Sequence, residues 1–218
     1  MNSPVPRTDC GGCTVCCTAL PIDQEEFRKP SGITCEHCTG AGCGIYETRY
    51  PICRSFLCGW LLLPALDESW RPDRSGILIR FIEREELPEQ FRAAGTGLHF
   101  TLLGGEASIR RPGFADYVAT LVRRDVAVWL SADSPRTLIN SYLKPAAMAG
   151  NKEALTAMLL HIYSLHVQQR EQQSQKPLPW VTPCWSSMRC HPQLSFPAEP
   201  RDSGARGREP RLPTQVKW

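Results

Sequence analysis

The sequence predicts an α+β fold, a small sheet with helices against it and a cysteine-rich N-terminal segment packed on that unit. Three observations predict it. Apolar residues alternate with the period of strands over residues 77–82 and 98–103, and recur with the period of helices over 114–122 and 155–166. Nine of the eleven cysteines fall within residues 10–58. By composition the 218 residues divide into a cysteine segment, 1–60, a small α+β unit, 61–170, and a proline-rich tail, 171–218.

In the first part, turn formers such as Pro30, Ser31, Gly32, Gly40 and Gly42 separate short pieces. A short helix is expected near residues 23–28, where the Asp23 side chain caps the first turn and its charge favours the positive helix end. Large apolar residues are too few here for an independent core, so something else must hold the segment.

The second part opens with two strands. Ile77, Ile79 and Phe81 alternate with Leu78, Arg80 and Ile82, and Leu98, Phe100 and Leu102 alternate with His99, Thr101 and Leu103. After Gly104 and Gly105, Pro112 introduces a helix in which Phe114, Tyr117, Val118, Leu121 and Val122 share a face and Arg123 and Arg124 complement the C-terminal dipole. VAVWLS, residues 126–131, is the third strand. Asn151 then caps a last helix with Leu155, Met158, Leu159, Ile162 and His166 on its apolar face. His161 and His166 are five residues apart, which is not a same-face ligand pair, and His166 reads as a packed histidine.

The tail holds eight of the nineteen prolines and only six Leu, Ile, Val or Phe in 48 residues, too little apolar surface to offset its ordering entropy, so disorder is expected. Cys184, Cys190 and His191 within it read as incidental.

Composition excludes several classes of function. No run approaches the roughly 18 apolar residues that span a bilayer. A net charge of +3 is too mild to argue for nucleic acid, and residues 1–60 carry five Lys or Arg against six Asp or Glu. The N-terminal MNSPVPRTD has no basic start followed by an apolar run, so a cytoplasmic location is expected. In that reducing compartment dense cysteine reads as metal or redox chemistry before disulfides, and odd totals fit bridges poorly.

The cysteine spacing is the main chemical signal. CGGCTVCC places Cys10, Cys13, Cys16 and Cys17 in eight residues; CEHC adds Cys35 and Cys38; GCGIYETRYPICRSFLC adds Cys43, Cys53 and Cys58. A two-residue gap lets a tight turn bring two thiolates onto one ion, and Gly11 and Gly12 relax the backbone that makes it. In an extended backbone the adjacent Cys16 and Cys17 would point to opposite sides, serving different ions or bridging. The nine thiolates allow two four-thiolate sites with one spare, a shared-thiolate cluster, or an iron–sulfur cluster with spare thiols. Arg49 and Arg54 flank Cys53 and can donate charge-assisted hydrogen bonds to sulfur. Tyr46 and Phe56 are expected to cover the site, and His37 to be a solvated loop residue.

CGGCTVCC followed by GCGIYETRYPICRSFLC resembles the CxxCxxCC cysteine-cluster family, the YkgJ-type zinc- or iron-chelating domain. The pattern maps onto Cys10, Cys13, Cys16 and Cys17, then Cys43, Ile45, Tyr46, Arg49, Cys53, Arg54, Phe56 and Cys58. One departure is Tyr50, where proline is usual; Pro51 follows one residue later. The resemblance covers about residues 10–60 and implies metal chelation without a defined reaction.

The expected function is therefore a metal-binding protein that takes zinc, iron or an iron–sulfur cluster through the nine N-terminal cysteines, with metal ions as its partners. The alternative is an iron–sulfur or iron-dependent oxidoreductase or modifying enzyme using the same thiols. An interaction module is a third reading, with membrane excluded and nucleic acid disfavoured. GTGLHFTLLGGE lacks both GxGxxG and the P-loop lysine pattern, so no nucleotide site is indicated.

Overall fold

A computed structural model describes residue 7, residues 9–132 and residues 135–174, all within one compact unit. Residues 171–174 of the expected tail are helical, and the expected disorder of the remainder, with Cys184, Cys190 and His191, falls outside the described residues from position 175 onward.

The helices are α1 (Val15–Ala19), α2 (Pro51–Ser55), α3 (Gly59–Leu62), α4 (Pro72–Ser75), α5 (Glu106–Arg110), α6 (Phe114–Arg123), α7 (Asn140–Met148) and α8 (Lys152–Ser174). The strands are β1 (Ile22–Asp23), β2 (Arg28–Lys29), β3 (Ile77–Glu83), β4 (Thr96–Leu102), β5 (Val128–Ser131) and β6 (Thr137–Leu138). The mixed α+β class is as expected, and β3, β4, β5, α6 and α8 answer the predicted elements. Asn151 Oδ1 accepts from the Ala154 amide at 2.9 Å, which is the predicted cap of α8.

One local expectation gives way. The helix expected at 23–28 is instead a two-stranded ribbon, Ile22 facing Lys29 and Asp23 facing Arg28. Asp23 takes the Arg28 guanidinium at 3.1 Å across that ribbon, and Lys29 is drawn inward, so tertiary partners outweigh a weak local helix signal. Over 140–148 the sequence predicts no element, and α7 forms there with Pro145 inside it. It begins at Asn140, which is buried and replaces missing strand partners by accepting from the Val128 amide at 2.7 Å and donating to the Val126 carbonyl at 2.8 Å.

The main sheet runs β3-β4-β5-β6. β3 and β4 are antiparallel; β4 and β5 are parallel, joined through α5 and α6; β5 and β6 are antiparallel. Ile77, Ile79, Phe100 and Leu130 pack with Phe114, Val118 and Val122 of α6, Leu143 of α7 and Leu155 and Leu159 of α8 in one core. A smaller cluster of Ile82, Leu87, Phe91, Ala127 and Trp129 fills the space beyond.

The cysteine segment joins this core at residue 60, where composition places the boundary. Cys58, Trp60 and Leu61 are buried in the main core, and Cys10, Val15, Ala19, Leu20 and Phe56 pack against it. Arg7 straps the junction, stacking at 4.3 Å over Trp60 and donating to the Trp60 and Leu66 carbonyls. α3 approaches β3 so closely that a Cβ on Gly59 would stand 2.5 Å from Ile79 Cγ2 and 2.7 Å from Ile79 Cβ. Gly59→Ala is therefore expected to lower stability by about 1–3 kcal/mol, the usual cost of overpacking, in urea unfolding with an unchanged m-value.

Candidate metal centre

Each predicted thiol is placed by a short piece of structure. The Cys13 amide donates to the Cys10 carbonyl at 3.2 Å, closing the first CxxC turn, with Gly11 at φ +55 and its amide on Asp9 Oδ1 at 2.8 Å. The second CxxC closes the same way, Cys38 amide to Cys35 carbonyl at 3.0 Å. The Cys35 amide in turn donates to the Cys17 carbonyl at 2.9 Å, so the second turn is tied to α1 by backbone. Cys38 and Cys43 pair as an antiparallel bridge around a loop closed by the Gly44 amide on the His37 carbonyl at 2.8 Å. Cys53 rides on α2, where Pro51 occupies the first turn and starts the helix after Tyr50. Cys58 is the residue before α3, buried, with the Trp60 and Leu61 amides acting on its sulfur.

Cys16 and Cys17 depart from the expected extended geometry. Both belong to α1, and their thiols share a hydrogen bond instead of pointing to opposite sides. Cys17 also meets Cys38, and this hydrogen bonding, the Cys16 contact foremost, lowers its thiol to about 6, while Cys16 is pushed far up. Elsewhere burial dominates: it raises Cys10 to about 11 and moves Cys13, Cys53 and Cys58 up as well. The electrostatic neighbours fall into two groups that meet at the Cys16 and Cys17 pair. Cys10, Cys13 and Cys58 act on one another on one side, and Cys53, Cys35 and Cys43 do so with Cys17 on the other.

All nine described cysteines are free thiols, and eight of them are half-buried. Five of them, Cys10, Cys13, Cys16, Cys53 and Cys58, line one cavity of about 40 Å³ together with Arg49, Phe56 and Leu78. Among the described residues, no three Cys, His, Asp or Glu side chains already stand in an arrangement that holds an ion. The donor set nonetheless fits a thiophilic cation by its chemistry. Soft sulfur donors are concentrated around one cavity, and burial raises the thiols of Cys10, Cys13, Cys53 and Cys58, an effect that a bound cation would offset.

The surrounding residues divide by role. Arg49 donates from Nε to the Tyr46 carbonyl at 2.8 Å and stacks 3.6 Å over the Tyr46 ring, a posture from which it favours the thiolates of Cys10, Cys17 and Cys53. Tyr46 thus holds the arginine and does not line the cavity, whereas Phe56 lines it as expected. Arg54 is exposed on α2. His37 is more engaged than a solvated loop histidine: it lies 5.9 Å from the Tyr50 ring and 6.2 Å from Phe27, which itself stacks on Tyr50 at 4.6 Å.

Lys29 is the residue that sequence reasoning missed. It is only 5% exposed, and its ammonium donates to the carbonyls of Thr18 at 3.1 Å, Pro30 at 3.1 Å and Ile33 at 2.7 Å. Burial lowers its pKa, and Cys35, Cys17, Cys16 and Cys53 act in the opposite sense, so a fixed positive charge faces these thiols. A lysine beside Arg28 in a polar run carries no sequence mark of burial; only the fold of the ribbon turns it inward.

Compared with protein-family models, with curated proteins and with solved structures, the chain matches none. No helix among the described residues is long and apolar enough to cross a membrane.

Lys29→Met removes the ammonium from three carbonyls and is expected to cost about 2 kcal/mol, the scale of hydrogen bonding to a charged group. The loss should appear as faster proteolysis within residues 15–35 while the sheet, followed by near-ultraviolet circular dichroism, melts as before.

Proposed function

We propose that this protein is a metal-binding protein of the YkgJ-type CxxCxxCC kind, taking zinc or iron through the thiolates of Cys10, Cys13, Cys16, Cys17, Cys35, Cys38, Cys43, Cys53 and Cys58. The observation that carries the reading is the convergence of five of these cysteines on one cavity, reached from two separate stretches of chain. The bridged turns at Cys10–Cys13 and Cys35–Cys38, the free state of every described thiol and the cations Lys29 and Arg49 support it. A bound ion supplies a crosslink worth about 10 kcal/mol or more in structural zinc sites, enough to order a segment with little apolar core.

The chain's own residues perform the rest. The CxxC turns present sulfur in pairs, Cys58 anchors the site to the core, and Lys29 and Arg49 offset negative charge that accumulates as thiols lose protons. Phe56 and Leu78 wall the cavity with apolar surface, which limits water at the sulfurs.

Metal analysis and a visible spectrum of anaerobically purified full-length protein test the reading. At least one metal per chain is expected, with sulfur-to-iron bands if the ion is iron and a colourless protein if it is zinc. Cys10→Ser and Cys58→Ser should each weaken metal retention against a chelator by about tenfold or more, whereas Cys184→Ser should not. Chelation should expose residues 10–58 to protease while the sheet stays folded. A metal-free protein whose segment resists protease equally with and without chelator would refute the proposal.

A further inference from the structure

A second polar constellation lies in the sheet itself, in one cross-strand row formed by Arg80 of β3, His99 of β4, Trp129 of β5 and Leu138 of β6. Arg80 is half-buried. One terminal nitrogen donates to His99 Nδ1 at 2.8 Å, and its Nε is wholly buried without a hydrogen-bond partner. Because Nδ1 accepts, the ring proton of His99 is on Nε2, which donates to Ser131 Oγ at 2.8 Å. His99 and Ser131 are 1% and 0% exposed, and burial, with Arg80 beside it, pushes the imidazole down to about 3, so it is neutral. A neutral ring gives the guanidinium no charge compensation.

Among the described residues no carboxylate stands within ion-pair distance of Arg80. Glu86 acts on it only from farther away and is held by Arg136 at 3.0 Å. Arg136, whose guanidinium lies 5.5 Å over the Trp129 ring, adds like charge to the same row. The hydroxyl proton of Ser131 likewise has no acceptor among the described residues. Among the described residues the row therefore holds two guanidinium groups against one carboxylate, with spare donors on Arg80 and Ser131. Buried charge is retained where it is paired, and the open edge of a guanidinium matches two oxygens of one anion.

We propose that this row is a binding site for a small oxyanion, a carboxylate or a phosphate group, held by Arg80 with Arg136 as the second cation. Arg80 is half-buried, in contrast to the fully buried His99 and Ser131 beside it. The site is independent of the thiol centre.

Thermal unfolding of the full chain with sodium phosphate and, separately, sodium acetate, each against sodium chloride at equal ionic strength, tests this. A saturable rise in Tm with either anion beyond that in chloride is expected, and which one acts identifies the group. The rise should persist after chelator treatment. Arg80→Gln, which keeps an amide donor for His99, should weaken the apparent affinity by about tenfold or more, and Glu86→Gln, which releases Arg136, should strengthen it. No rise with either anion, or an Arg80→Gln response equal to the wild type's, would overturn the proposal. Should Arg80→Gln not fold, an unchanged response in Glu86→Gln overturns it.

Discussion

The contact between Gly59 and Ile79 is the constraint on which the rest of the molecule depends. Only a residue without a Cβ lets α3 press onto the edge strand β3, and that approach buries Cys58, Trp60 and Leu61 together with the sheet. Cys58 then becomes a fixed wall against which the CxxC turn of Cys10 and Cys13, the α1 thiol of Cys16 and the α2 thiol of Cys53 are assembled. A segment with few large apolar residues thus gains order from a core it does not itself contain.

Charge sets the second condition. Burial raises the thiols of Cys10, Cys13, Cys53 and Cys58, because a thiolate in apolar surroundings loses its hydration. Lys29 and Arg49 act against that tendency, both of them at Cys17. Each is immobilised by backbone carbonyls rather than by carboxylates, so its charge remains available to the sulfurs. Had either been paired with an acid, its field at the thiols would be largely cancelled.

The sheet repeats the theme with the sign reversed. At the cysteine segment an excess of anionizable sulfur calls for cations, and at Arg80 an excess of cationic nitrogen calls for an anion. Both features lie on β3 or against it: Leu78 lines the thiol cavity, and Arg80 follows two residues later on the same face of the strand. The two proposed sites are nevertheless chemically separate, one soft and sulfur-rich, the other hard and nitrogen-rich.

Local pattern determined much of this protein. The apolar runs of β3 and β4, the helical stripes of α6 and α8, the Asn151 cap and the cysteine spacing all concern residues whose roles follow from their near neighbours, so the α+β class and the thiols themselves were legible. Tertiary structure decided what depends on distant partners. Asp23 to Arg28 became a ribbon because Lys29 finds three carbonyls inside; Cys16 and Cys17 became a hydrogen-bonded helical pair; α7 formed across Pro145 because Asn140 caps the end of a strand. Cys58 is buried with the sheet where Gly59 approaches Ile79, and no spacing within residues 10–58 encodes a contact with residue 79.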